Sequence, residues 1–230
     1  MEQISISGPG FTIEDDLMII DEDIQNKLTK PIIEAMKNVR KIEFSKFFRG
    51  YIDGKIPDNI EEIFFGKYFD STVDRLPKNL KVLVFDRFFN QRVDNLPNTL
   101  EELSLSEEFN QQIDNLPNSL KTLYLSDEFN QPIDFLPINL KSLTVGWSFH
   151  HPLDNLPINL KKLKIGSEYE GSLNNLPDSI EKLRLPFFKK KIMKLPKSLK
   201  KLFIPEDYEY ELPKGDYEVI MIQDEYYKLK

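Results

Sequence analysis

The chain has 230 residues, 40% of them apolar, a formal net charge of -7 and no cysteine, so disulfides and thiolate-bound metals contribute nothing to its folding or chemistry. Its longest strictly aliphatic run, Leu17-Met18-Ile19-Ile20, is four residues long, against roughly 20 for a membrane span and about 7 to 15 for a signal-peptide core. No membrane segment is expected, and the expected location is cytoplasmic, meaning the host cytoplasm if the source is viral. The charge is segregated: residues 101–150 hold eight acids and two bases, residues 151–200 five acids and eleven bases, a pattern that points to separate surfaces.

Residues 1–34 carry no repeat. Ile4 and Ile6, the turn Gly8-Pro9-Gly10, then Phe11 and Ile13 read as strand, turn and strand. Thr29-Lys30-Pro31 followed by Ile32, Ile33, Met36 and Val39 reads as a helix start with proline in its first turn. The segment is expected to form a small mixed cap, because the first unit of any stack needs a cover for its apolar layer.

A 20-residue period governs residues 35–215. Leu-Pro recurs from Leu76-Pro77 to Leu176-Pro177 every 20 residues, with Ile56-Pro57 in phase before it and Leu195-Pro196 one residue short after it. Each is followed by an apolar triplet such as Leu100, Leu103, Leu105 or Leu120, Leu123, Leu125, whose final alternation is that of a short strand. Extending the triplet from Val39, Ile42, Phe44 to Tyr217, Ile220, Ile222 gives ten strands. Four residues after each comes an aromatic (Phe48, Phe69, Phe89, Phe109, Phe129, Phe149, Tyr169, then Phe188 after a one-residue slip, Tyr208 and Tyr226), and four further an aliphatic such as Val93 or Ile113.

One unit of this kind has a single apolar layer and cannot bury it alone. Stacking is required, and it predicts an all-β-dominated solenoid, leucine-rich-repeat-like, a right-handed coil of about ten 20-residue rungs with one parallel sheet. Twenty residues leave little room for helix on the return side. Residues 216–230 are read as a capping strand and a charged tail carrying Glu225, Lys228 and Lys230.

Two polar columns accompany the repeat. Asn59, Asn79, Thr99, Ser119, Asn139, Asn159, Ser179 and Ser198 precede the strand leucines and suit the hydrogen bonding of a buried corner. Asp74, Asp94, Asp114, Asp134 and Asp154, continued by Asn174, are read as local Asx-type turns rather than a cation ladder, since the glycine-rich metal-binding repeat is absent.

The strings Phe89-Asn90-Gln91-Arg92-Val93, Phe109-Asn110-Gln111-Gln112-Ile113 and Phe129-Asn130-Gln131-Pro132-Ile133, each preceded by Leu-Pro and a Leu-x-x-Leu-x-Leu run (ending in Phe85 in the first), resemble the FNIP repeat. That family is similar to leucine-rich repeats and occurs chiefly in amoebae and the giant viruses that infect them. The resemblance implies protein binding rather than catalysis. It also implies an alternative role, as substrate-recognition subunit of a ubiquitin ligase, but residues 1–34 lack the Leu-Pro opening of the family's F-box. At the motif asparagine, His150, Glu170 and Lys189 depart from the pattern.

No phosphate loop, nucleophile triad or dinucleotide fingerprint is present, and His150 and His151 are the only histidines. No catalytic, cofactor or metal site is expected. The outward face of the sheet remains. Its central column reads Glu43, Phe64, Val84, Ser104, Tyr124, Thr144, Lys164, Arg184, Phe203 and Met221; the adjoining one reads Lys41, Glu62, Val82, Glu102, Thr122, Ser142, Lys162, Lys182, Lys201 and Val219. Phe64, Val82, Val84, Tyr124, Lys162, Lys164, Lys182, Arg184, Lys201 and Phe203 are the candidate partner-binding residues, apolar toward one end and basic toward the other. The basic end suits an acidic protein segment. Binding of nucleic acid or an anionic surface there is the alternative, disfavoured by the overall negative charge.

Overall fold

The computed structural model describes residues 5–166 and 169–222. Thirteen strands form one sheet whose spatial order is the chain order. The first three, β1 (Ser5–Gly8), β2 (Phe11–Glu14) and β3 (Leu17–Ile20), are an antiparallel meander. After a short helix, α1 (Lys30–Ala35), and one 3-10 turn come β4 (Lys41–Phe44), β5 (Glu62–Phe65), β6 (Val82–Phe85), β7 (Glu102–Ser104) and β8 (Thr122–Tyr124). Then follow β9 (Ser142–Val145), β10 (Lys162–Ile165), β11 (Lys182–Arg184), β12 (Lys201–Pro205) and β13 (Glu218–Ile222). From β4 onward every strand is parallel to its predecessor. The result is a β-solenoid.

Each rung has two corners. At one, the amide of the strand leucine donates to the carbonyl of the proline three residues earlier, as from Leu100 to Pro97 and Leu120 to Pro117 at 3.1 Å each. Proline fixes φ and lacks an N–H, which costs nothing here because the turn needs only its carbonyl. At the other corner the core aromatic closes the turn, Phe109 N donating to Ser106 O at 3.1 Å.

Between the corners, identical residues stack. Successive rings of Phe69, Phe89, Phe109, Phe129 and Phe149 lie 6.1 to 6.3 Å apart and within 8° of parallel, and each is at most 1% exposed. Tyr169 continues the column at 6.2 Å. A buried ring of this size contributes about 3–5 kcal/mol relative to alanine, so this column and the strand leucines are the main source of stability. Tyr226 lies outside the described residues, as do Ile4 and the tail from 223 onward with Glu225, Lys228 and Lys230.

The amino-terminal cap contains a strand the sequence did not announce. In β3, Met18 and Ile20 are fully buried and pair with Ile42 and Phe44 of β4. Leu17 and Ile19, on the other face, are also apolar, so the run has no alternation from which to read a strand. The cap extends the sheet edgewise and places one more apolar layer against the first repeat.

At the far end the register differs from expectation. Leu202 pairs with Val219, and Ile204 with Met221, so Val219 and Met221 occupy the inward columns assigned above to Ile220 and Ile222. Glu218 and Ile220 stand in the outward columns instead. The connection into β13 is one residue shorter than the triplet spacing assumed, and a one-residue slip exchanges the two faces. Val219 and Met221 are 38% and 53% exposed.

Polar side chains stitch the rungs together, and here the aspartate column departs from its expected local turns. Asp74, Asp94, Asp134 and Asp154 accept from the side-chain amides of Asn95, Asn115, Asn155 and Asn175, one rung on, at 2.8 to 3.2 Å. The corner column does what its residue types suggested: Asn59 donates to the carbonyls of Met36 and Val39, Thr99 to Leu80, Ser119 to Leu100 and Ser179 to Leu160.

Candidate partner-binding face

The repeat motif explains how successive rungs are held in register. Its phenylalanine fills the core, and its asparagine forms a ladder: Asn90 Oδ1 accepts from Asn110 N at 3.0 Å and Gln111 Nε2 at 3.1 Å, and Asn110 Oδ1 accepts from Asn130 N at 2.9 Å and Gln131 Nε2 at 3.1 Å. Asp70 begins the ladder and Asn130 passes it to His150 N at 3.1 Å. His151 Nε2 lies 3.1 Å from the Asn130 carbonyl. Beyond it, where Glu170 and Lys189 replace asparagine, ion pairs Lys190–Glu170 and Lys189–Asp207 take over. Among the described residues no group of three or more His, Asp or Glu side chains converges as a metal site would require.

With the rungs in register, every candidate side chain lies in one of two outward columns. Phe64 sits between Glu43 and Val84, and Val82 between Glu62 and Glu102. All three candidates are half-buried by their neighbours. Tyr124 is 41% exposed and stands between Ser104 and Thr144. Lys162, Lys182 and Lys201 form one run, and Lys164, Arg184 and Phe203 the run beside it. The structure therefore gathers all the candidates but Tyr124 into two clusters. They are centred on β5–β6 and β10–β12, and the four strand spacings from β6 to β10 come to about 19 Å.

The basic cluster is organised around Phe203. Lys182 Nζ lies 4.8 Å and Arg184 Cζ 5.3 Å from its ring centroid. Lys201 pairs with Glu218 at 3.3 Å. At the other end Lys41 and Glu62 pair at 3.1 Å across β4 and β5. The cap runs edge-on to the sheet, through β3 pairing with β4, so the covering of Phe64 and Val84 comes from in-plane neighbours.

Sequence reading missed one prominent group. Just past the ends of β4, β5 and β6, Phe47, Tyr68 and Phe88 stack at 6.0 and 5.3 Å, each half-exposed. Cations lie over them: Lys46 at 4.8 Å from Phe47, Arg49 at 4.9 Å and Lys67 at 5.6 Å from Tyr68, and Arg87 at 5.4 Å from Phe88. The signal was present as the doublets Phe47-Phe48, Tyr68-Phe69 and Phe88-Phe89, of which only the second, core member follows the full repeat.

The model of the FNIP Repeat family matches residues 71–108, 109–146 and 129–168. No curated protein matches the chain. Among solved structures it is similar to CroV588, a giant-virus protein described as a novel circular LRR protein structure, with a TM-score of 0.83 and 28% identity over 92% of this chain. The chain spans 35% of the length of CroV588. No helix among the described residues is long and apolar enough to cross a membrane. With the phenylalanine and asparagine ladders accounting for the motif residue by residue, and the repeat model recurring along them, residues 71–168 carry FNIP repeats within a leucine-rich-repeat-like fold.

Proposed function

We propose that this protein is a non-enzymatic scaffold that binds another protein on the outward face of its parallel sheet. The observation that carries the reading is the ordered pair of columns. They run from Phe64, Val82 and Val84, past Tyr124, to Lys162, Lys164, Lys182, Arg184, Lys201 and Phe203, on a sheet whose rungs are stitched together at the turns beside it. Aromatic and arginine side chains on a rigid support bind with little entropy loss. Two clusters about 19 Å apart suit an extended segment or a folded surface of that breadth, with carboxylates toward the basic end. The alternative roles, in a ubiquitin ligase or on nucleic acid, have no comparable feature behind them.

The test is affinity capture from lysate with wild type, Phe64→Ser/Val84→Ser, Lys162→Glu/Lys182→Glu, and Asn98→Lys on the return side as control. The expected result is a set of proteins retained by wild type and control and lost from both face variants, with all four proteins still cooperatively folded. Identical capture by all four proteins removes the face as the binding site.

A further inference from the structure

The edge beside the sheet, where each strand turns toward the core aromatic, is divided into two blocks of opposite character. In the rungs of β4 to β6 it presents the Phe47–Tyr68–Phe88 stack with Arg49 and Lys67 on either side of Tyr68. Neither of these two cations has a carboxylate within ion-pairing distance among the described residues, whereas Lys46 pairs with Glu22 at 3.2 Å. In the next two rungs the same edge presents Glu107, Glu108, Asp127 and Glu128, all exposed. These carboxylates crowd one another: desolvation and then Glu107 push the Asp127 carboxyl above its ordinary value, partly offset by a hydrogen bond from the Trp147 amide and the charge of Lys164, with Glu128 adding a smaller push upward. Arg87 sits on the boundary, 3.4 Å from Glu107 and 3.8 Å from Glu108.

We infer that this edge is a self-complementary interface for a second copy of the chain, two copies meeting antiparallel with the two-fold axis between β6 and β7. The arrangement superposes the rungs in reverse order, so Lys67 of each copy faces Asp127 and Glu128 of the other, and Arg49, one rung earlier, reaches toward them over Tyr68. It sets Phe47 opposite Trp147. Each copy gives the other's Arg49 and Lys67 the carboxylates they lack alone, adds a cation beside Glu128, and an isologous contact closes at two subunits. Nucleic acid fits the edge less well, because rings 5.3 to 6.0 Å apart leave no space for a base between them and the acidic block adjoins directly.

The experiment is sedimentation velocity on the full chain at about 50 mM and about 500 mM salt, a range over which the screening length falls several-fold. A dimer at low salt that dissociates at high salt is expected. Lys67→Glu and Glu128→Lys should each be monomeric at low salt with unchanged melting, since each sets like charges across both halves of the interface. Mixed in equal amounts they should dimerise: the glutamate introduced in one variant then meets the lysine introduced in the other, and the unchanged Lys67 and Glu128 meet across the second half. A wild-type chain that stays monomeric at low salt overturns the inference, as do single reversals that leave the dimer intact or a mixture that fails to associate. The sheet-face variants described above should dimerise like wild type, which keeps failure of this interface distinct from failure of the scaffold reading.

Discussion

Asn110 illustrates how much a single repeated residue does. Its side-chain carbonyl serves two donors of the next rung, Asn130 N and Gln131 Nε2, and a hydrogen bond of this type has a net worth of about 0.5–1.5 kcal/mol. Asn110→Ala should cost roughly 1–3 kcal/mol in urea unfolding, and Asn110→Asp less, because it keeps the acceptor, as Asp70 does at the head of the ladder. A smaller loss for alanine than for aspartate would show the ladder to be energetically idle. Gly146 is a second such position. A Cβ there would lie in contact with the Ser126 carbonyl of the preceding rung, and backbone cannot yield as a flexible side chain can. Gly146→Ala should therefore destabilise by about 1–3 kcal/mol, measured by the same unfolding curve.

At the scale of one element, the rung, two columns make checkable statements. The aspartate–asparagine ladder is interrupted where Phe135 takes the donor's place beyond Asp114, leaving a ring 71% exposed. Phe135→Asn should complete the run and raise stability by about 0.5–1.5 kcal/mol; a fall in melting temperature would mean that the ring is packed against something needed. Just ahead of the strands, Glu181 lies between Lys161 at 2.9 Å and Lys200 at 2.6 Å. Hydrogen bonds from Lys200 and Lys161 hold its carboxyl down to about 2, against 4.5 ordinarily. A carboxyl depressed on folding stabilises the native state above its unfolded value and loses that contribution as pH falls toward the folded one. The loss belongs between pH 4.5 and about 2. Glu181→Gln should flatten stability over that window at low salt and have little effect at high salt, because the pairs are exposed. A wild-type curve unaffected by the substitution would contradict this.

For the whole molecule, the solenoid spreads its stability along one dimension, each rung contacting chiefly its two neighbours. Removal of residues 1–34 takes away Met18 and Ile20, which are fully buried against β4. It should uncover Ile42 and Phe44 and yield an aggregating protein, checked by light scattering; a soluble, folded truncation would show that these residues do no capping. Amide exchange should be slowest in the central rungs and fastest in β13, whose inward-register Val219 and Met221 remain exposed.

The amino-acid sequence by itself determined the architecture, because a strict period with one apolar layer per unit has a single economical solution, and every repeat strand but the last takes the register of its triplet. It also determined which side chains of the central rungs face outward, since alternation follows from strand geometry once the leucines are inside. Three matters were left to the tertiary structure. The register of β13 depended on a connection whose length breaks the period. β3 has no alternation, and its identity as a strand follows only from pairing with β4. The stitching bonds between asparagines, and the aromatic and charged edge beside the sheet, join residues about 20 positions apart in sequence, whose proximity exists only once one rung lies on the next.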